Sequence, residues 1–121
     1  MVIHRQRTTP FVYVFRMSES GEVFKLQPIT SEGYIIGRSD AQSAFPPDID
    51  LTPFNGRDRG VSRRHAALTI YGNELHIVDL DSVNGTFVNS KRLMADAPYA
   101  LRSGDRILLG DFELIYEQQP G

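Results

Sequence analysis

Apolar and β-branched residues along the chain fall into short runs that recur about every eight to twelve residues. The runs cover residues 11–15, 22–26, 33–37, 49–51, 66–71, 74–78, 86–89, 106–109 and 112–116. In the last of them Phe112, Leu114 and Tyr116 alternate with Glu113 and Glu117, the period of a strand with one face in the core and one in water. Between the runs stand pairs that tolerate tight turns: Ser20-Gly21, Gly72-Asn73, Asn84-Gly85, Gly104-Asp105 and Gly110-Asp111. The spacing of Asn84-Gly85 reads as a hairpin. No amphipathic stretch of helical period emerges, and seven prolines and ten glycines interrupt most candidates. The pattern predicts an all-β domain, a sandwich or barrel, over residues 10–117. Residues 1–9 read as a flexible tail, and residues 118–121 as a second tail or the start of a linker.

Length agrees with a single domain: 121 residues suffice for a core without disulfides or metals. Cysteine is absent, which excludes disulfides, thiolate catalysis and cysteine-ligated metal. His4, His65 and His76 lie far apart, without metal-ligand spacing, so neither metal nor cofactor is expected. No run reaches the length of a membrane span, and residues 1–7 lack the apolar segment of a secretory signal. A cytoplasmic domain is the expectation.

Charge changes the picture more. Thirteen Lys and Arg against fifteen Asp and Glu give a net of −2, but residues 56–65 alone hold four arginines and one aspartate. A compact basic spot of +3 on a body of −5 points to a small anionic ligand rather than a nucleic acid or an anionic membrane. The spot ends the longest strand-poor stretch, residues 52–64, where a binding loop is expected.

Three segments could carry chemistry. In Ser62-Arg63-Arg64-His65, a serine and histidine with Asp79 or Asp81 have the composition of a hydrolytic triad. No Gly-x-Ser-x-Gly elbow surrounds Ser62, however, and His65 fits equally well as a strand-edge ring bonded to loop backbone. Residues 79–86 fail as a calcium loop, since Val83 and Ser90 occupy ligand positions. They read instead as a turn in which the Asn84 amide can bond an extended peptide. The third segment, Gly37-Arg38, ends a strand and opens a loop.

Together, Gly37-Arg38, Ser62-Arg63-Arg64-His65, Asn84-Gly85-Thr86 and Asn89, in this order and spacing, resemble the signature of forkhead-associated (FHA) domains. The resemblance covers about residues 11–117 and implies an eleven-stranded β-sandwich of two sheets. Such domains bind phosphothreonine peptides through loops at one end and are not enzymes. Carried over, Arg38 and Ser62 hold the phosphate, Arg63 and Arg64 flank it, and Asn84 bonds the peptide backbone. Ser82 and Val83 occupy the neighbouring turn positions, where Val83 lacks the side-chain donor some members carry as threonine. Gly37, His65, Gly85, Thr86 and Asn89 shape the loops.

Elementary chemistry suits that implication. A phosphothreonine carries about −1.5 to −2 charges and three strong acceptors. An arginine fork meets two of its oxygens and a serine hydroxyl a third. The segment 53–60 borders the site, and Arg57 and Arg59 would favour an acidic residue after the phosphothreonine, Phe54 an apolar one. The expected partner is a phosphothreonine protein or peptide, or another segment of the same polypeptide, bound by a monomer. The rival is a phosphorylation-independent docking domain using an exposed sheet face around residues 11–15.

Overall fold

Alternation decides which side chains of each strand turn inward, and the inward sets of two sheets meet in one core. The structure is a computed structural model that describes residues 11–26, 33–42 and 44–120. Its eleven strands are β1 (Phe11–Met17), β2 (Val23–Leu26), β3 (Tyr34–Gly37), β4 (Ile49–Asp50), β5 (Arg64–Tyr71) and β6 (Glu74–Asp79), followed by β7 (Thr86–Val88), β8 (Lys91–Arg92), β9 (Tyr99–Ala100), β10 (Arg106–Leu109) and β11 (Phe112–Pro120). A single 3-10 turn covers Thr52–Phe54. One sheet runs β2-β1-β11-β10-β7-β8 and the other β4-β3-β5-β6-β9. The β3–β4 pair is parallel, so the second sheet is mixed. No helix of the described residues is long and apolar enough to cross a membrane.

The first sheet contributes Phe15, Ile107, Leu109, Leu114 and Tyr116 to the core, the second Ile36, Ala66, Leu68 and Ile77, all fully buried. Phe15 and Tyr116 sit with ring centroids 5.2 Å apart. Phe112, Leu114 and Tyr116 point inward as the alternation predicts.

Four expectations change. The face around residues 11–15 is not an exposed docking surface. β1 lies between β2 and β11, and Tyr13, Val14 and Phe15 are buried. β11 runs on past residue 117 because Tyr13, Val12 and Phe11 pair with Gln118, Gln119 and Pro120, giving their backbone groups partners. The 1–9 tail and Gly121 lie outside the described residues. Asn84-Gly85 is not a hairpin turn: it carries the chain from β6 in one sheet to β7 in the other. β8 and β9, two residues each, had no run of their own in the pattern.

What this architecture does for the site is gather loops at one end. Backbone bonds stitch them together: Arg38 N–H to Arg63 O at 3.2 Å, Gly110 N–H to Gly85 O at 2.9 Å, and Asp111 N–H to Arg59 O at 2.8 Å.

Candidate functional site

Two short segments converge on three consecutive residues of a third. Arg38 donates from Nε to the Val61 carbonyl at 2.7 Å. Asn84 donates from Nδ2 to the Gly60 carbonyl at 3.0 Å. Val83 donates its N–H to the Ser62 hydroxyl at 3.2 Å. The strand end at Gly37-Arg38, the Gly60-Val61-Ser62 segment and the β6–β7 turn are thereby one rigid unit. These anchors also decide what is left over. The terminal nitrogens of Arg38, the Oδ1 of Asn84 and the hydroxyl proton of Ser62 have no partner among the described residues, so each can serve a ligand.

Close packing of backbone makes the approach of Arg38 to Val61 possible. A Cβ on Gly37 would stand 1.9 Å from the Arg63 carbonyl oxygen, so only glycine fits where β3 meets the start of β5. The register of β3 and β5 shifts between Ile36 and Gly37, at the same place.

His65 is fully buried and rivets the unit from below. Its Nδ1 accepts the Ser62 N–H at 3.0 Å, and its Nε2 faces the Gly85 carbonyl at 2.9 Å. Because Nδ1 accepts and Nε2 must donate, the ring is the neutral Nε2–H tautomer. Burial pulls its pKa below the ordinary histidine value, against the opposing pull of the Gly85 carbonyl and the Asp79 charge. Both ring nitrogens are thus spent on backbone groups, and neither touches the Ser62 hydroxyl as a catalytic base must.

Asp79 is the residue the sequence reading valued least correctly. It is buried at the end of β6, and its carboxylate accepts the Thr86 hydroxyl at 2.6 Å, the Ser82 hydroxyl at 2.6 Å and the Ser82 N–H at 3.2 Å. Ser82 in turn accepts the Gly85 N–H at 3.0 Å. The Ser82 hydroxyl, expected beside the ligand, is engaged within the turn by Asp79 and the Gly85 N–H. Val83 carries an exposed side chain and contributes through its N–H. Asn89 lies at the far end of β7, where its amide holds Asp105 and the Arg106 N–H.

A cavity of about 390 Å³ opens beside Arg38, lined also by Arg63, Asp40, Gln42 and Arg57. Arg63 is paired there with Asp40, Nε to Oδ2 at 2.7 Å. Arg64 does not line it and faces an adjoining groove of about 550 Å³ with Ile35, Pro46 and Pro47. On the other flank a groove of about 450 Å³ runs past Asn84, lined by Asp58, Arg59, Phe87 and Asp111.

A family model of the FHA domain matches residues 34–110. The chain belongs to the FHA-domain family. The oxoglutarate dehydrogenase inhibitor of Corynebacterium glutamicum is 40% identical to this FHA domain over 98 residues, which are 81% of this chain and 64% of that protein. Protein FraH of a Nostoc species is 34% identical over 111 residues, 92% of this chain and 36% of that protein. The chain thus spans roughly a third to two-thirds of these curated relatives. A solved FHA domain, described with phosphothreonine-dependent interactions, matches with a TM-score of 0.69 at 30% identity, covering 91% of this chain and 99% of that one.

Within this FHA domain Arg57 and Arg59, read from the sequence as acting on the same ligand residue, line different cavities. Arg59 lies on the Asn84 side, ion-paired with Glu19, and Arg57 lies on the Arg38 side. Phe54 packs edge-on against Phe24, with centroids 5.9 Å apart, and does not line the Asn84 groove. Asp58 and Asp111 line that groove together with Arg59, which is ion-paired with Glu19.

Proposed function

We propose that this FHA domain binds phosphothreonine segments of a protein partner, or of its own polypeptide, and performs no catalysis. The terminal nitrogens of Arg38 take two phosphate oxygens and the Ser62 hydroxyl donates to the third. Asn84 accepts a peptide N–H through Oδ1, which fixes the strand direction of the ligand. Val83 supports Ser62 and makes no side-chain contact. The residues after the phosphothreonine run along the Asn84 groove, where Asp58 and Asp111 favour neutral or basic side chains. Arg64, in the adjoining groove that Arg38 and Arg63 also line, adds general positive potential. A ligand written by kinases and erased by phosphatases suits a cytoplasmic setting.

The observation that supports this reading is the convergence of Arg38, Val83 and Asn84 on residues 60–62, which leaves the Arg38 terminal nitrogens, the Ser62 hydroxyl proton and the Asn84 Oδ1 without partners among the described residues. Truncating Arg38 to alanine is expected to cost about 2–3 kcal/mol, or about 30–150-fold in affinity. Lysine at this position keeps the charge and loses the fork, so it rescues little. Calorimetry of both variants with a phosphothreonine peptide tests the reading, and full affinity in Arg38→Ala defeats it.

A further inference from the structure

The loop between β4 and β5 is folded back and bonded to itself, which fixes where its arginines go. Leu51 donates its N–H to Gly37 O at 2.8 Å, and its own carbonyl receives the Gly56 N–H at 2.9 Å. Gly56 sits so close to Leu51 that a Cβ would stand 2.8 Å from that carbonyl oxygen. Asn55 takes a left-handed φ of 65° to make the reversal. The Val61 N–H then returns to Gly56 O at 2.8 Å and the Gly60 N–H to Arg57 O at 3.1 Å. A loop closed by these backbone bonds and tied to β3 projects Arg57 to the Arg38 flank and Arg59 to the Asn84 flank.

The cavity beside Arg38 therefore holds three guanidiniums, of Arg38, Arg57 and Arg63, and one carboxylate, of Asp40. Two contacts of Asp40 lie among the described residues. Its Oδ2 meets Arg63 Nε at 2.7 Å, and its Oδ1 accepts the Gln42 N–H at 2.9 Å. Three cations and one anion leave a net charge near that of a phosphate dianion with opposite sign. A single carboxylate has half that charge, and it already occupies Arg63.

We infer that Arg57 is a third guanidinium on the phosphate itself, and that Asp40 is the resident counter-anion which an incoming phosphate displaces from Arg63. This rests on the phosphothreonine reading of the site and adds to it how the phosphate is discriminated. Arg57 reads the phosphate whatever residues follow the phosphothreonine. Asp40 keeps Arg63 pre-positioned and sets a threshold that a monoanion such as a phosphomimetic glutamate does not cross.

The test uses two short phosphothreonine peptides, one with alanine at the three positions after the phosphothreonine and one with glutamate there. They are titrated by calorimetry against the unaltered domain, Arg57→Ala and Asp40→Asn, each checked for an unaltered thermal midpoint. Arg57→Ala weakens both peptides by the same factor, about fivefold to tenfold for an exposed charge-assisted contact. Asp40→Asn tightens both by about threefold, because the competing charge is gone. A loss in Arg57→Ala confined to the glutamate peptide, or no loss, overturns the role of Arg57. Unchanged or weaker binding by Asp40→Asn overturns the role of Asp40. If the unaltered domain binds neither peptide, the phosphothreonine reading falls with it, an outcome separable from both.

Discussion

Replacing Asp79 with alanine tests whether one buried carboxylate builds the β6–β7 turn. The substitution removes the acceptor of three hydrogen bonds, two from hydroxyls at 2.6 Å and one from the Ser82 N–H at 3.2 Å. Thr86 is fully buried, so its hydroxyl is left without water or an alternative acceptor, whereas Ser82 is half-buried and recovers part of its loss from solvent. Hydrogen bonds to a charged group contribute about 1.5–3 kcal/mol each, and with Ser82 discounted the loss is about 3–4 kcal/mol. Against a typical total of about 5–15 kcal/mol that is a severe change. Urea unfolding followed by far-UV circular dichroism is the assay. With a slope of about 1–3 kcal/mol per molar urea, the midpoint falls by about 2 M. Asparagine restores only part, because its Oδ1 can accept both hydroxyls without the charge while its NH2 opposes the Ser82 N–H. The same variant, at low urea where it is still folded, binds phosphothreonine peptide more weakly, since Val83 and Asn84 hang from this turn. A midpoint shift below about 0.5 M, with peptide affinity unchanged, refutes the argument.

The neutral His65 makes stability depend on pH. Its folded pKa lies below the unfolded value of about 6.5, so its stabilisation is complete above that pH and is lost as pH falls towards the folded value. The urea midpoint of the free domain therefore drops as pH falls below about 6.5, and His65→Gln flattens the slope; an equal slope in that variant contradicts this role of His65. Gly37→Ala places a methyl carbon on the Arg63 carbonyl and is expected to cost about 3 kcal/mol in thermal or urea unfolding. Peptides with lysine after the phosphothreonine bind more tightly than those with glutamate, a difference read by fluorescence anisotropy that shrinks with added salt and in Asp111→Asn.

The fold and the location of the site are legible in the sequence for a physical reason. Period-two alternation is set by burial, so the runs that became β6, β10 and β11 announce themselves, while β1 and β5 show as apolar, β-branched runs. β8 and β9 do not, because two-residue strands such as Lys91–Arg92 are defined by their partners and carry no pattern. Asn84-Gly85 has the composition of a hairpin turn, and only the pairing of β7 with β10 makes it a passage between sheets. Side-chain direction within loops was the least readable. Arg57 and Arg59 are two residues apart, and the reversal at Asn55-Gly56 sends them to opposite flanks. Ser82 carries the right chemistry for a ligand, yet the buried charge of Asp79 claims it first. Gly37-Arg38, Ser62 and Asn84 were readable as a set because backbone close approach and a fixed anchor at each limit what else could stand there.

The central claim is that one end of this sandwich reads a phosphorylated threonine. The direct measurement is calorimetric titration of the unaltered domain with a single peptide in three forms: phosphothreonine, phosphoserine and unphosphorylated threonine. Saturable binding of the phosphothreonine form and none of the unphosphorylated form is expected. Phosphoserine binds at least about fourfold more weakly, the worth of one buried methyl group. Equal binding of the phosphorylated and unphosphorylated forms contradicts the claim.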